Sequence, residues 1–235
     1  MKNKIIRFCQ NLLSKYHGRI SFSQSGEDMI IDFIFRALQI SAPTYLDIGA
    51  NDPRMFNNTY FFYLKGSRGV SIEPDPDLFR VLVRERPNET LLNVGIAAAP
   101  SASLPFYVMS TPTLNTFSKA EAHRYAETGM HKIVRVDSIE VLTVDQIVTD
   151  CFDGKSPDLL SVDVEGLDFE IVNSIDFGRI RPTVICVETL TFSESRDEIK
   201  LEDIRDLILA NGYKLYADTY INSIFVDERK WLNRQ

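Results

Sequence analysis

Four carboxylates close short apolar runs in this chain: Asp47 in TYLDIGAND, Glu73 in GVSIEPDPDLF, Asp163 in PDLLSVDVE and Glu188 in TVICVETL. An apolar strand ending in an acid, a glycine and small polar residues, followed by a second strand ending in another acid, describes a nucleoside-binding crevice. Gly49 permits close backbone approach, and a helix beginning near Asn58 offers free amide groups. Glu73, one strand and one helix after Gly49, can accept both hydroxyls of a ribose. The glycine spacing decides which nucleoside fits. From Gly49 the chain reads G-A-N-D-P-R, so only the first glycine of a GxGxxG fingerprint is present and NAD or FAD is not expected. A cofactor with a ribose and no phosphate needs no further glycines. S-adenosylmethionine has that character, and its sulfonium and ammonium groups suit a crevice lined by Asp47, Asp163 and Glu27 or Asp28.

These acids converge only if the intervening elements bring the strand ends to one edge. In SFSQSGEDMIIDFIFRALQI, Ser23 or Ser25 can cap a helix carrying Glu27 or Asp28 in its first turn, and Ile30, Ile31, Ile34, Phe35 and Leu38 share one face. Strands are expected at 44–48 and 69–72, in TLLNVGIAAA, in SLPFYVM as an extra strand, and in PDLLSVDVE and TVICVETL. Helices are expected at 59–65, from Asp75 and Pro76 toward Arg86, in VLTVDQIVTD and in FEIVNSI. The segment from Ile199 to Arg229 reads as a helix stopped at Asn211 and Gly212, then two strands joined by a tight turn. Near-continuous apolar strands separated by helices indicate a parallel sheet covered on both faces. The sum is a seven-stranded, mostly parallel α/β layout with a C-terminal antiparallel hairpin. Ser110 to His131, polar, aromatic and weakly periodic, reads as a long excursion near the site.

With 235 residues, 44% hydrophobic and 25% charged, the chain suits a single domain over 21–235 preceded by a basic amphipathic helix over 1–20. That helix is expected to pack on the domain, with peripheral contact to a membrane surface as the alternative. Arg7, Gln10 and Asn11 interrupt any signal-peptide core, and no stretch approaches the length of a transmembrane helix. A net charge of −7 argues against nucleic acid as a partner. Cys9, Cys151 and Cys186 show no CxxC spacing, which fits a reducing, cytoplasmic setting better than a disulfide framework or zinc site.

The ordered set SQSGEDMII, YLDIGANDPRMFNNTYFFYLKGSRGVSIEPDPDLF, LLNVGIA, LTVDQI, PDLLSVDVEGLDFEIV and VICVET resembles the FkbM family of S-adenosylmethionine-dependent methyltransferases, from about Ser23 to Thr189. The resemblance implies a Rossmann-like class I methyltransferase fold. It also implies O-methylation of sugars, polyketide-derived products or polysaccharide components. By the same resemblance Asp47, Gly49 and Asn51 line the methionine side of the cofactor, Glu73 holds the ribose, and Asn93, Val94, Gly95 and Ile96 border the adenine. Pro53 stands where the family frequently has glycine. Asn57, Asn58 and Thr59 match an SNTY-like segment that binds the cofactor carboxylate or simply caps a helix. Gln24 and the following GED either fold over the cofactor or cap the helix after them.

Methyl transfer to a sugar hydroxyl demands alignment, exclusion of water and removal of one proton. Asp163, in DVEG, stands where a base should stand, with Glu165 as a second candidate. Asp163 and Glu188 on neighbouring strand ends could also hold Mg²⁺. His123 and His131, in the excursion, are lesser base candidates, and Phe106, Tyr107, Phe117 and Tyr125 could stack on a sugar or simply pack. Two other classes compete. Asp75-Pro76-Asp77 is a DxD triplet such as glycosyltransferases use, and a domain of this kind could bind a nucleoside without turnover.

Overall fold

The computed structural model describes residues 19–193 and 197–234. The N-terminal helix expected over 1–20 lies, but for its last two residues, outside them. Ten strands follow in chain order: β1 (Tyr45–Ile48), β2 (Gly69–Ile72), β3 (Thr90–Leu92), β4 (Gly95–Ile96), β5 (Ser101–Met109), β6 (Ile133–Leu142), β7 (Leu159–Val162), β8 (Val184–Glu188), β9 (Tyr213–Asp218) and β10 (Asn222–Asp227). The α-helices are α1 (Glu27–Ala37), α2 (Tyr60–Lys65), α3 (Pro76–Glu85), α4 (Lys119–Glu127), α5 (Val144–Cys151), α6 (Asp168–Asn173), α7 (Glu202–Ala210) and α8 (Glu228–Leu232).

The main sheet has seven strands in the order β3-β2-β1-β7-β8-β10-β9. All its pairings are parallel except those of β10, which runs antiparallel to both neighbours. The order reverses at β1, where the chain leaves toward β2 and returns at β7, and this creates the crevice. Strands β1, β2 and β7 are buried along their whole length, as expected of a sheet covered on both faces. On one face Leu46, Ile48, Leu160, Val162, Ile185 and Val187 pack against α5, α6 and α7. On the other, Tyr45, Leu159, Val184, Ile224 and Val226 pack against α1 and α2. Burial of side chains this size is worth about 1.5–3 kcal/mol each, so the alternation along each strand fixes its register.

The structure departs from the sequence reading in three places, one of them helix α4, which lies inside the excursion read as weakly periodic. The run expected as one third strand is broken at Asn93, so that β3 joins the main sheet while β4 joins a second, three-stranded sheet of order β4-β6-β5. Strand β6 was not expected; its alternating exposure is that of a strand with one solvent face. Helix α1 has left-handed Gly26 at its N-cap position, and Ser23 caps the first turn from outside, its Oγ accepting the Asp28 amide at 3.2 Å. Ser23 also donates to Asp28 Oδ1 at 2.9 Å, and the Phe22 amide donates to Asp28 Oδ2 at 2.7 Å. No helix among the described residues is long and apolar enough to cross a membrane.

Candidate active site

At the C-terminal ends of β1, β2, β7 and β8 lies a cavity of about 590 Å³, within the range of small-molecule sites. Gln24, Gly49, Asn51, Glu73 and Gly95 line it, as do the acids Asp163, Glu165 and Glu188. Asp47, Asn58, Thr59, Asn93 and Val94 do not line it.

Glu73 is 3% exposed. Its Oε2 accepts the Asn51 amide and its Oε1 the Asp75 amide, each at 2.8 Å. Each oxygen keeps a lone pair for a further donor. Asn51 makes its bond from a left-handed backbone, φ 45°. Burial pushes the Glu73 carboxyl up to about 8, the two backbone amides pull it down, and the charges of Asp75 and Asp47 push it further up. Asn93 Nδ2 donates to the carbonyls of Glu73 and Pro74 at 2.8 and 3.0 Å, fixing the turn that carries Glu73. The DxD triplet is occupied by the protein itself. Asp75 caps α3 through the Asp77 amide and accepts Asn115 Nδ2 at 3.0 Å, and Arg135 reaches both Asp75 and Asp77 at 3.2 Å.

Asp47 points to the sheet face opposite Leu46 and Ile48. In register beside it are Ser71 on β2 and Ser161 on β7. Asp47 Oδ2 accepts Thr59 Oγ1 at 2.7 Å and Asn57 Nδ2 at 3.3 Å, while Asn58 Nδ2 donates to Ser161 at 3.2 Å. The side chains of the NNT segment therefore lock α2 onto the sheet. Arg86, fully buried, completes this layer. Its Nε and Nη2 both donate to the Pro53 carbonyl, at 3.0 and 2.8 Å, its Nη2 also reaches Asn57 Oδ1 at 2.5 Å, and its Nη1 reaches Thr59 Oγ1 at 3.0 Å. The Glu89 carboxylate is 3.4 Å from Nη1.

The other wall is acidic. Carboxylate oxygens of Asp163, Glu165 and Glu188 lie within 4.8 Å of one another. Burial, then the charges of Asp168, Asp47 and Glu27, push Asp163 up to about 7. Burial and neighbouring carboxylates hold Glu165 and Glu188 well above the usual range. Asp168, itself pushed up to about 6 mainly by burial, accepts the Val164 and Gly166 amides at 3.2 Å and so pins the DVEG turn. Glu165 is left-handed at φ 53°; its carbonyl accepts Thr116 Oγ1 at 2.7 Å and its Oε2 accepts the Tyr125 hydroxyl at 3.1 Å. The excursion thus closes on the acids through α4.

Gly49 is glycine for a protein contact. At φ 85° a Cβ there would stand 1.8 Å from the Asp163 carbonyl oxygen. Glu27 is turned toward the C-terminal hairpin, accepting Thr219 Oγ1 at 2.6 Å and Asn222 Nδ2 at 3.1 Å. His123 is exposed, and His131 meets Thr111 at 2.9 Å; neither lines the cavity. Phe106 and Phe117 do line it, their ring centroids 4.7 Å apart. Sequence reasoning missed Arg86 and Asp168, which resemble surface charges near helix ends, and it missed the wall Leu190 to Ser193, which carries no motif.

Residues 47–215 match the family model described as the methyltransferase FkbM domain. The chain belongs to the FkbM methyltransferase family. It is an S-adenosylmethionine-dependent methyltransferase, and the match takes in Asp47, Glu73, Asp163 and Glu188 together. No curated protein matches the chain. Solved structures similar to this FkbM protein include a TehB-like SAM-dependent methyltransferase from Corynebacterium glutamicum, 10% identical, with 94% of this chain and 96% of that one covered and a TM-score of 0.45. A methyltransferase FkbM from Methylobacillus flagellatus is 16% identical, with 79% of this chain and 44% of that one covered and a TM-score of 0.43. A putative caffeoyl-CoA O-methyltransferase from Staphylococcus aureus is 8% identical, with 97% and 92% covered and a TM-score of 0.47.

Proposed function

We propose that this methyltransferase acts on a hydroxyl of a sugar, a glycan or a glycosylated small molecule, with Asp163 as the proton acceptor. The observation that carries the reading is the acid cluster of Asp163, Glu165 and Glu188 on the same cavity as Glu73. A carboxyl raised to about 7 is poised to take a proton near neutral pH.

The residues fit S-adenosylmethionine. Glu73 has a free lone pair on each oxygen for the two ribose hydroxyls, and Asn51 holds it in place. Gly95 and Ile96 stand on the adenine side and Gln24, Gly49 and Asn51 on the methionine side. Asp47, Asn58 and Thr59 support the loop, and Asn93 and Val94 support the turn beside Glu73. When bound, the cofactor supplies an electrophilic methyl group on a sulfonium sulfur. Asp163 receives the acceptor's proton, Glu165 is oriented by Tyr125, and Leu190, Phe192 and Phe117 exclude water from the transfer.

A divalent cation is a second use of the same acids. Three hard oxygen donors within 4.8 Å suit Mg²⁺ held by Asp163 and Glu188 with Glu165 beside them. A bound cation would supply orientation of an acceptor hydroxyl and a lowered hydroxyl pKa. We place the reaction in the cytoplasm, where Cys151 and Cys186 remain free thiols. Methyl transfer from labelled S-adenosylmethionine, screened over neutral sugars and oligosaccharides with Mg²⁺ or with EDTA, tests the reading. Labelled sugar ether is the expected product; methylation confined to thiols or amines would overturn the acceptor class.

A further inference from the structure

We propose that Arg86 is the positioning residue for the cofactor loop, fixing residues 50–57 in their binding shape before any cofactor arrives. The inference rests on the reading above that Glu73 and Asn51 receive the ribose end of S-adenosylmethionine.

The loop is costly to hold. Asn51 and Phe56 both sit in the left-handed region, at φ 45° and 54°, and an aromatic residue there is strained. Phe56 and Met55, 59% and 62% exposed, bury little apolar surface to offset that strain. Polar contacts hold the loop: the Asn51 side chain donates to the Pro112 carbonyl, the Asn57 amide donates to the Phe22 carbonyl, Arg54 pairs with Glu85, and Arg86 acts from below. Two nitrogens of Arg86 donate to the Pro53 carbonyl, and a third contact takes Asn57 Oδ1, which in turn accepts the amides of Thr59 and Tyr60 at 3.0 and 2.8 Å. Within the loop Asp52 Oδ1 accepts the amides of Arg54 and Met55 at 2.8 Å. At the loop's start the Asn51 amide sits on Glu73. Among the described residues, Arg86 is thus the cation that ties the loop, the first turn of α2 and the β1 carboxylate, 4.0 Å from its Nη1, together.

The choice of arginine follows from geometry. A guanidinium presents several donors in one rigid plane, and here they serve a carbonyl, an amide oxygen and a hydroxyl at once. The rings of Tyr60 and Tyr63 flank it at 5.3 and 5.7 Å. Lysine would preserve the charge opposite Asp47 and Glu89 but could not hold Pro53 and Asn57 together.

Two measurements test this. In Arg86→Lys, the dissociation constant for S-adenosylhomocysteine and the KM for S-adenosylmethionine are expected to rise about tenfold, from the loss of the planar fork. The kcat at saturating cofactor is expected to stay within about twofold of wild type. A lowered melting temperature with unchanged affinity would mark Arg86 as structural only and overturn the proposal. In the wild-type protein, hydrogen exchange at the Asn51, Met55 and Asn57 amides is expected to be slow without cofactor. Fast exchange that slows only when S-adenosylhomocysteine is added would overturn preorganisation even if the lysine variant does not fold. Absence of any S-adenosylhomocysteine binding by wild type would instead overturn the cofactor assignment on which the proposal rests.

Discussion

The amide of Asn51 donates to Glu73 Oε2 across 2.8 Å, joining the loop after β1 to the acid that ends β2. One hydrogen bond thus couples the two segments that form the proposed ribose site. It also explains why Asn51 occupies a left-handed conformation that asparagine tolerates better than most residues.

Asp163→Asn removes the proposed proton acceptor and leaves the shape. Cofactor affinity is expected to stay near wild type while turnover falls more than about tenfold, the low end of general-base contributions. In the wild-type enzyme, kcat/KM is expected to rise with pH through a value near 7, as Asp163 loses its proton. Wild-type turnover in the asparagine variant would remove Asp163 from the mechanism.

Tyr125→Phe deletes the hydroxyl that meets Glu165 Oε2. The bond is worth roughly 1 kcal/mol, so kcat is expected to fall about fivefold. Tyr125 does not line the cavity, so S-adenosylhomocysteine titration should give an unchanged affinity. A raised dissociation constant would show that the excursion shapes the cofactor site instead.

Gly49→Ala places a methyl group against the Asp163 carbonyl at a positive φ. Neither backbone can retreat within a parallel sheet, and a loss of roughly 3 kcal/mol or more in stability is expected by denaturant unfolding. A stable alanine variant would mean that β1 and β7 separate more easily than their pairing indicates.

The buried acids make stability depend on pH with a definite sign. Glu73, Asp163 and Asp168 have carboxyls raised to about 8, 7 and 6 in the folded chain, chiefly by burial. The folded state therefore binds more protons than the unfolded one between the ordinary carboxylate range and these values, and stability falls as pH rises through them. Glu27, Asp32 and Asp227 are lowered and act in the opposite direction, at more acid pH. The melting temperature of the cofactor-free protein is expected to drop between about pH 5 and pH 8, and Glu73→Gln is expected to flatten the slope. A melting temperature that climbs over that interval would contradict the burial of these acids.

The sheet was readable because buried parallel strands are short apolar runs, and the acids at their ends announce where they stop. Strand β6 was not, because Arg135, Asp137 and Glu140 interrupt its apolar residues, as a strand with a solvent face requires. Asp47 looked like a ligand contact, yet the period of two in a strand turns its side chain away from Ile48 and into the layer under α2. The break at Asn93 was hidden because its cause is a side-chain bond to the carbonyls of Glu73 and Pro74, a distant turn. Arg86 carried no local signal at all: next to Pro87 at a helix end it reads as a solvated charge, and only the folding of Pro53 and Asn57 over it reveals its role.

The most direct test of the account is calorimetric titration of the wild-type protein and Glu73→Ala with S-adenosylhomocysteine, with melting curves to verify that both are folded. Saturable binding by wild type is expected, weakened about 30-fold in the variant, because two hydrogen bonds of roughly 1 kcal/mol each are lost. Equal affinities in the two proteins, or no binding by wild type, would contradict the placement of the cofactor on Glu73.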